Sequence, residues 1–408
     1  MKKLARVAFC VLIFLLSTIG EVPAPKVHAA NTMFAGKVVS WYQRVTDTAI
    51  DDLVGVLSDT GTEIVFRGYF KYWITPEYEF PELTAVIAAV KTTLPWVQFI
   101  GGVSASAFQP GDYWPNGTHV TADQMKQMLW ILPNGTYAHH IEDPQLYVLD
   151  IAKPLARQFV ISYSYKMIDA GFDMLWFDEI NYIQDRPIEP YLTAWHEIAS
   201  SVKDYAMSKY GRILPVSING DALYLIGSED TKSVWPYQDF LTVSIRKDTV
   251  RTGKMLDDWA SYKAEVMQVY GMLPPILYFI DNDKLDVLAS QSTSTQIKLL
   301  ELWYDTAVRE QVTPVFTLHY GDTYDALREG TYDAMKELTN SISTVHTVTT
   351  TYSVPFISTT TTTTTATITE TRTPGLFQNP FDVALVVVVG VLGLAVIVLM
   401  FRKKTATQ

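Results

Sequence analysis

The chain of 408 residues has one cysteine, Cys10, and it lies in the first apolar stretch. Set that stretch aside and no thiol remains. Disulfide stapling, thiol nucleophiles and Cys-ligated zinc are then excluded from the folded part. Histidine is sparse, seven in all, and no His-x-x-x-His spacing is present to carry zinc. Basic residues are outnumbered, 32 Lys and Arg against 43 Asp and Glu, for a formal charge of −11. Both ends of the chain are basic, so the part between them is more acidic still. Such a surface repels nucleic acid and anionic polymers. No Gly-rich phosphate loop follows the first strand-like run, which counts against a dinucleotide fold. Asp281-Asn282-Asp283 lacks the other ligands of a calcium loop and reads equally well as a strand-end turn. No metal and no cofactor is expected.

What is present begins with an export signal. Lys2, Lys3 and Arg6 precede an apolar run from Val7 to Leu16, and a small-residue exit closes it at Ala29 or Ala30. Residues 1–29 therefore read as a secretory signal peptide, whose apolar run is short for a bilayer span. At the other end, Val383–Phe401 holds nineteen residues without a charge. At about 1.5 Å per residue this approaches the ~30 Å hydrocarbon core. Arg402, Lys403 and Lys404 follow directly and place the tail, 402–408, on the cytoplasmic side. The expected span is 382–401. Before it, 342–381 is mostly Thr with a few Pro, a composition that buries too little apolar surface to fold and reads as an O-glycosylated stalk. Asn116-Gly-Thr and Asn134-Gly-Thr are glycosylation acceptor sequences.

The remaining part, 30–341, alternates β-branched or aromatic runs with amphipathic stretches. Eight runs have strand character, among them GKVVSWYQ, TEIVFRGYF, DMLWFDEIN, PPILYFIDND and TPVFTLHYG. Helical stretches follow most of them, and several stop at a glycine suited to the left-handed position after a helix: Gly61, Gly171, Gly211 and Gly271. Strand–helix alternation implies a parallel sheet. Eight units imply an α/β chain closed as a (β/α)8 TIM barrel. The third connection, with Trp114, Trp130 and His139-His140, reads as a long loop with a hairpin. The fifth has little helical period.

Such barrels carry their sites at the C-terminal strand ends. In order, these ends give Trp41 and Tyr42, then Arg67 and Tyr69 with Trp73 beyond. Asp178 and Glu179 end the fourth, and Asn219 the fifth. Arg246 and Asp248 belong to the sixth, Asp281 and Asp283 to the seventh, and His319 to the eighth. Aromatic faces stack on the C–H face of a pyranose, planar polar groups bind its hydroxyls, and paired carboxylates cleave the glycosidic bond. Glu179, Asp178 and Asp281 are the candidate catalytic acids. Trp41, Tyr42, Arg67, Tyr69, Trp73, Asn219, Arg246, Asp248, Asp283 and His319 are the candidate substrate-binding residues.

The stretch DAGFDMLWFDEIN, Asp169 to Asn181, resembles the fourth-strand motif of glycosidase-type TIM barrels. In α-amylase-like members an Asp at the strand end is the nucleophile, and Asp178 is the matching residue. In another large clan the fourth strand ends in Asn-Glu with that Glu as general acid, and Glu179 matches. The chain departs from the amylase pattern: no Arg precedes Asp178 by two positions, and the fifth strand ends in Asn219 rather than Glu. The resemblance implies a glycoside hydrolase acting on a polysaccharide or glycan, and the ends of the chain imply a cell-surface, single-pass protein with the barrel outside. The alternative is a non-catalytic carbohydrate-binding or structural envelope protein on the same barrel.

Overall fold

The computed structural model describes residues 37–42, 45–70, 76–105, 107–140, 144–178, 189–218, 238–245, 247–254, 259–270, 273–280, 282–320 and 324–342. The expected signal peptide, stalk, span and tail lie outside this set, as do Trp73, Glu179, Asn219, Arg246 and Asp281. No helix among the described residues is long and apolar enough to cross a membrane.

Eight strands form one parallel sheet in the order β7 (Val216–Ile218), β6 (Met174–Asp178), β3 (Gln98–Ser104), β2 (Ile64–Tyr69), β1 (Val38–Tyr42), β10 (Thr313–Tyr320), β9 (Ile276–Phe279) and β8 (Leu241–Ser244). This is the expected succession of a barrel, nearly closed. In chain order β6 is the fourth barrel strand and β9 the seventh. A short β11 (Tyr324–Asp325) folds back antiparallel on β10. At the seam between β7 and β8, Asp239 replaces a strand ladder: its N–H donates to Val216 O at 2.8 Å, and its Oδ2 accepts the Val216 N–H at 2.8 Å. Lys203 holds the same carboxylate at 2.7 Å.

The helices stand where their apolar faces can cover the sheet. They are α1 (Ile50–Asp59), α2 (Pro76–Thr93), α4 (Pro154–Ala170), α5 (Glu189–Tyr210), α6 (Lys247–Thr252), α7 (Trp259–Tyr270), α8 (Asn282–Ala289), α9 (Thr293–Glu310) and α10 (Tyr332–Ser341). The short α3 (Ala122–Met128) belongs to the third connection. That connection also contains a two-stranded sheet of β4 (Ala107–Phe108) and β5 (Tyr147–Val148). At the N-terminal end of the barrel, Asp173 accepts the Phe99 N–H at 2.9 Å and meets Lys91 at 2.7 Å and Arg212 at 3.0 Å. This buttress ties β3 and β6 to the helices around them.

Gly101 and Gly102 are set by packing rather than by turning. A methyl group on Gly101 would lie 2.6 Å from Met167 of α4, and one on Gly102 would lie 2.6 Å from the Phe70 ring. The missing side chain at Gly102 lets Phe70 approach the end of β3.

Candidate active site

Inside the barrel, near the C-terminal ends of the strands, three rings from three strands meet. Phe66 of β2 lies 5.6 Å from Trp176 of β6 and 5.2 Å from Phe279 of β9, and Trp176 and Phe279 approach edge-to-face at 6.5 Å. Trp176 also donates its indole N–H to Thr242 Oγ1 of β8 at 3.1 Å, across the barrel interior. All three rings are fully buried.

The Arg67 guanidinium lies over this floor, 4.1 Å from the Trp176 ring centroid and 4.8 Å from that of Phe279. Consecutive strand residues point to opposite faces, yet Phe66 and Arg67 both reach the interior. Backbone irregularity is what permits this. Arg67 has φ of 53°, in the left-handed region, and an advance of four positions along β2, from Val65 to Tyr69, matches an advance of only two along β3, from Phe99 to Gly101. A bulge of this kind re-aims a side chain at a strand end, and a non-glycine held left-handed costs about 1–3 kcal/mol. The aromatic faces offset part of the cost of burying the cation.

A second irregularity lies on the other side of β1. Register shifts between Ser40 and Trp41, so that Ser40 pairs with Thr317 but Trp41 with His319. Trp41 thereby stacks on His319, centroids 5.5 Å apart and planes at 28°. His319 Nδ1 is 3.1 Å from Asp325 Oδ2 on β11. Burial works against the charge of Asp325, but hydrogen bonds from the Arg328 and Leu327 N–H groups and from His319 outweigh it and hold the carboxyl below its ordinary value. A carboxylate at this distance from Nδ1 fixes the orientation of the imidazole ring. The result is a fixed Trp–His–Asp arrangement at the end of the eighth barrel strand.

The predicted residues divide. Arg67, Trp41 and His319 stand at strand ends as expected, but Trp41 is 5% exposed and braces His319 instead of presenting an open face. Tyr69 is buried, and its hydroxyl bonds the Glu79 carboxylate on the first turn of α2. It is turned toward that helix and contributes to packing there. Asp248 is in the first turn of α6 with its side chain 91% exposed, facing Arg251 at 3.8 Å. Tyr42 ends β1, paired with Tyr320, and Asp283 lies in α8. Asp178 ends β6, paired with Ser104 of β3. Sequence reasoning missed Asp325, although the Gly-Asp-Thr sequence between Tyr320 and Tyr324 is a reversal signal that the antiparallel pairing of His319 with Asp325 agrees with.

No family model matches the sequence, and no curated protein matches it. Solved structures do. An α-amylase from Lactobacillus plantarum superposes with a TM-score of 0.51 at 11% identity, over 76% of this chain and 81% of that one. The type III pullulan hydrolase from Thermococcus kodakarensis gives 0.50 at 14% identity, over 72% of this chain and 58% of that one. The likeness is one of fold: this chain has the parallel α/β barrel architecture found in these glycoside hydrolases.

Proposed function

We propose that this protein is a cell-surface glycoside hydrolase whose barrel lies outside the cell, tethered through the Thr-rich stalk to the span at 382–401. One observation carries the catalytic part. Trp176 of β6 and Phe279 of β9 meet inside the barrel beneath Arg67, and each is followed two residues later by an aspartate, Asp178 and Asp281. Strand alternation returns a residue to the same face every second position. It therefore favours Asp178 over its neighbour Glu179 as the acid that faces the axis, with Asp281 opposed to it. In this reading one carboxyl protonates the leaving oxygen while the other attacks the anomeric carbon or activates water. His319, fixed by Asp325, hydrogen-bonds a substrate hydroxyl. Glu179 remains the alternative general acid if the chain turns inward after β6.

The acidic chain suits a neutral or amino-sugar polymer. The test is hydrolysis of a glycan panel by the wild type, Asp178→Asn, Glu179→Gln and Asp281→Asn. Loss of an acid or base typically costs about 10²–10⁴ in rate, and that loss is expected for Asp178→Asn and Asp281→Asn. An active wild type whose rate survives in all three variants moves the site elsewhere. Glycan binding without hydrolysis by the wild type selects the non-catalytic carbohydrate-binding reading.

A further inference from the structure

The third connection contains a short duplication. Tyr113-Trp114-Pro115-Asn116-Gly117-Thr118-His119-Val120 and Ile131-Leu132-Pro133-Asn134-Gly135-Thr136-Tyr137-Ala138 share Pro-Asn-Gly-Thr at the same offsets. The two segments fold alike. Tyr113 bridges His119 and Ile131 bridges Tyr137, both antiparallel. Trp114 N–H donates to Thr118 O at 2.7 Å and Leu132 N–H to Thr136 O at 2.8 Å, while Gly117 and Gly135 close the turns onto Trp114 O and Leu132 O at 2.9 and 2.8 Å. The two glycines have φ of 84° and 83°. Proline second, asparagine third and a left-handed glycine fourth make a three-residue hairpin loop with a bulge.

That geometry accounts for Pro, Asn and Gly. It places no demand on the following residue, yet both copies have Thr there. In each hairpin the asparagine Oδ1 accepts the threonine N–H at 3.0 Å and its hydroxyl at 2.7 Å. Both asparagines are exposed. Among the described residues neither Nδ2 makes a hydrogen bond, so the carbonyl side of each amide is tied down and the nitrogen is left outward. The chain's other asparagines are not followed by Ser or Thr two positions on. Both acceptor sequences therefore fall on the duplicated tips.

We propose that Asn116 and Asn134 are N-glycosylation sites, each carrying an oligosaccharide on the exported chain. In the step, Nδ2 attacks the anomeric carbon of a lipid diphosphate-linked oligosaccharide. The C–N bond forms, the C–O bond to phosphate breaks, Nδ2 gives up one proton, and the lipid diphosphate leaves. The proposal requires export and is independent of hydrolysis by the barrel.

The experiment uses the full chain from its own cells. An impermeant amine reagent labels intact cells, so that only exported molecules are captured, and their peptides are weighed. Peptides spanning 113–120 and 131–138 should both carry a glycan mass on the asparagine. Asn116→Gln and Asn134→Gln should each remove one glycan from the intact mass, and Thr118→Val and Thr136→Val should do the same with the asparagine in place. An unmodified mass at either peptide of the captured wild type overturns the proposal.

Discussion

Arg67 brings the chemistry of the mouth down to one backbone angle. Its left-handed conformation lets a cation and the ring of Phe66 share the barrel interior. The strain is held by the β2 bulge and by the aromatic rings around the guanidinium. A second charged residue, Asp169, shows how charge is managed on the outer helices. Burial opposes its ionisation, but hydrogen bonds from Lys209, Tyr210 and Tyr205 outweigh this and keep the carboxyl below its ordinary value. Because the folded pKa is depressed, this group stabilises the fold above the unfolded carboxylate value, about 3.9. That contribution is lost as pH falls through the folded value. Asp169→Asn should lower Tm at neutral pH and flatten the fall in Tm below about pH 4. A melting curve series in which the variant keeps the wild-type acid slope would rule Asp169 out as a source of that slope.

At the scale of elements, Asp239 staples the seam of the barrel. Strands β7 and β8 meet through Asp239, which both donates to and accepts from Val216. Asp239→Ala removes the acceptor for a buried backbone N–H and should cost about 1–3 kcal/mol, read as a lowered denaturation midpoint. Asp239→Asn keeps an oxygen at that place and should cost less. Equal losses in the two variants would mean that the Lys203 ion pair, not the backbone staple, closes the seam. The eight strand runs were legible because β-branched and aromatic clusters alternate with helices that end in glycine; Gly61, Gly171 and Gly211 all take positive φ. The bulges at Trp41 and Arg67 were not legible. A register shift is decided by what the neighbouring strand offers, and a single strand's pattern carries no trace of it. The same reason hid the His319–Asp325 pair, whose partners come together only when β11 folds back on β10. The Tyr69 contact was not legible either, because a tyrosine near a strand end can face the lumen or a covering helix, and its hydroxyl meets Glu79 of α2.

At the scale of the molecule, the proposal reads residues 1–29 as a signal segment, 342–381 as a stalk and the apolar run before Arg402–Lys404 as a span. Protease added to intact cells should remove the barrel and leave a small membrane-bound stub, detected with an antibody to residues 402–408 after lysis. Full protection of the barrel would contradict the outward topology. The central claim is narrower, that the ends of the fourth and seventh barrel strands present opposed catalytic carboxylates. It is tested most directly by a crystal structure with a bound glycan, measuring the separation between the Asp178 and Asp281 carboxyl groups. The account predicts that they flank a glycosidic bond, about 5–5.5 Å apart for a retaining enzyme or about 6.5–9.5 Å for an inverting one. A separation well beyond about 10 Å, outside either mechanism, or a glycan held away from both, would contradict it.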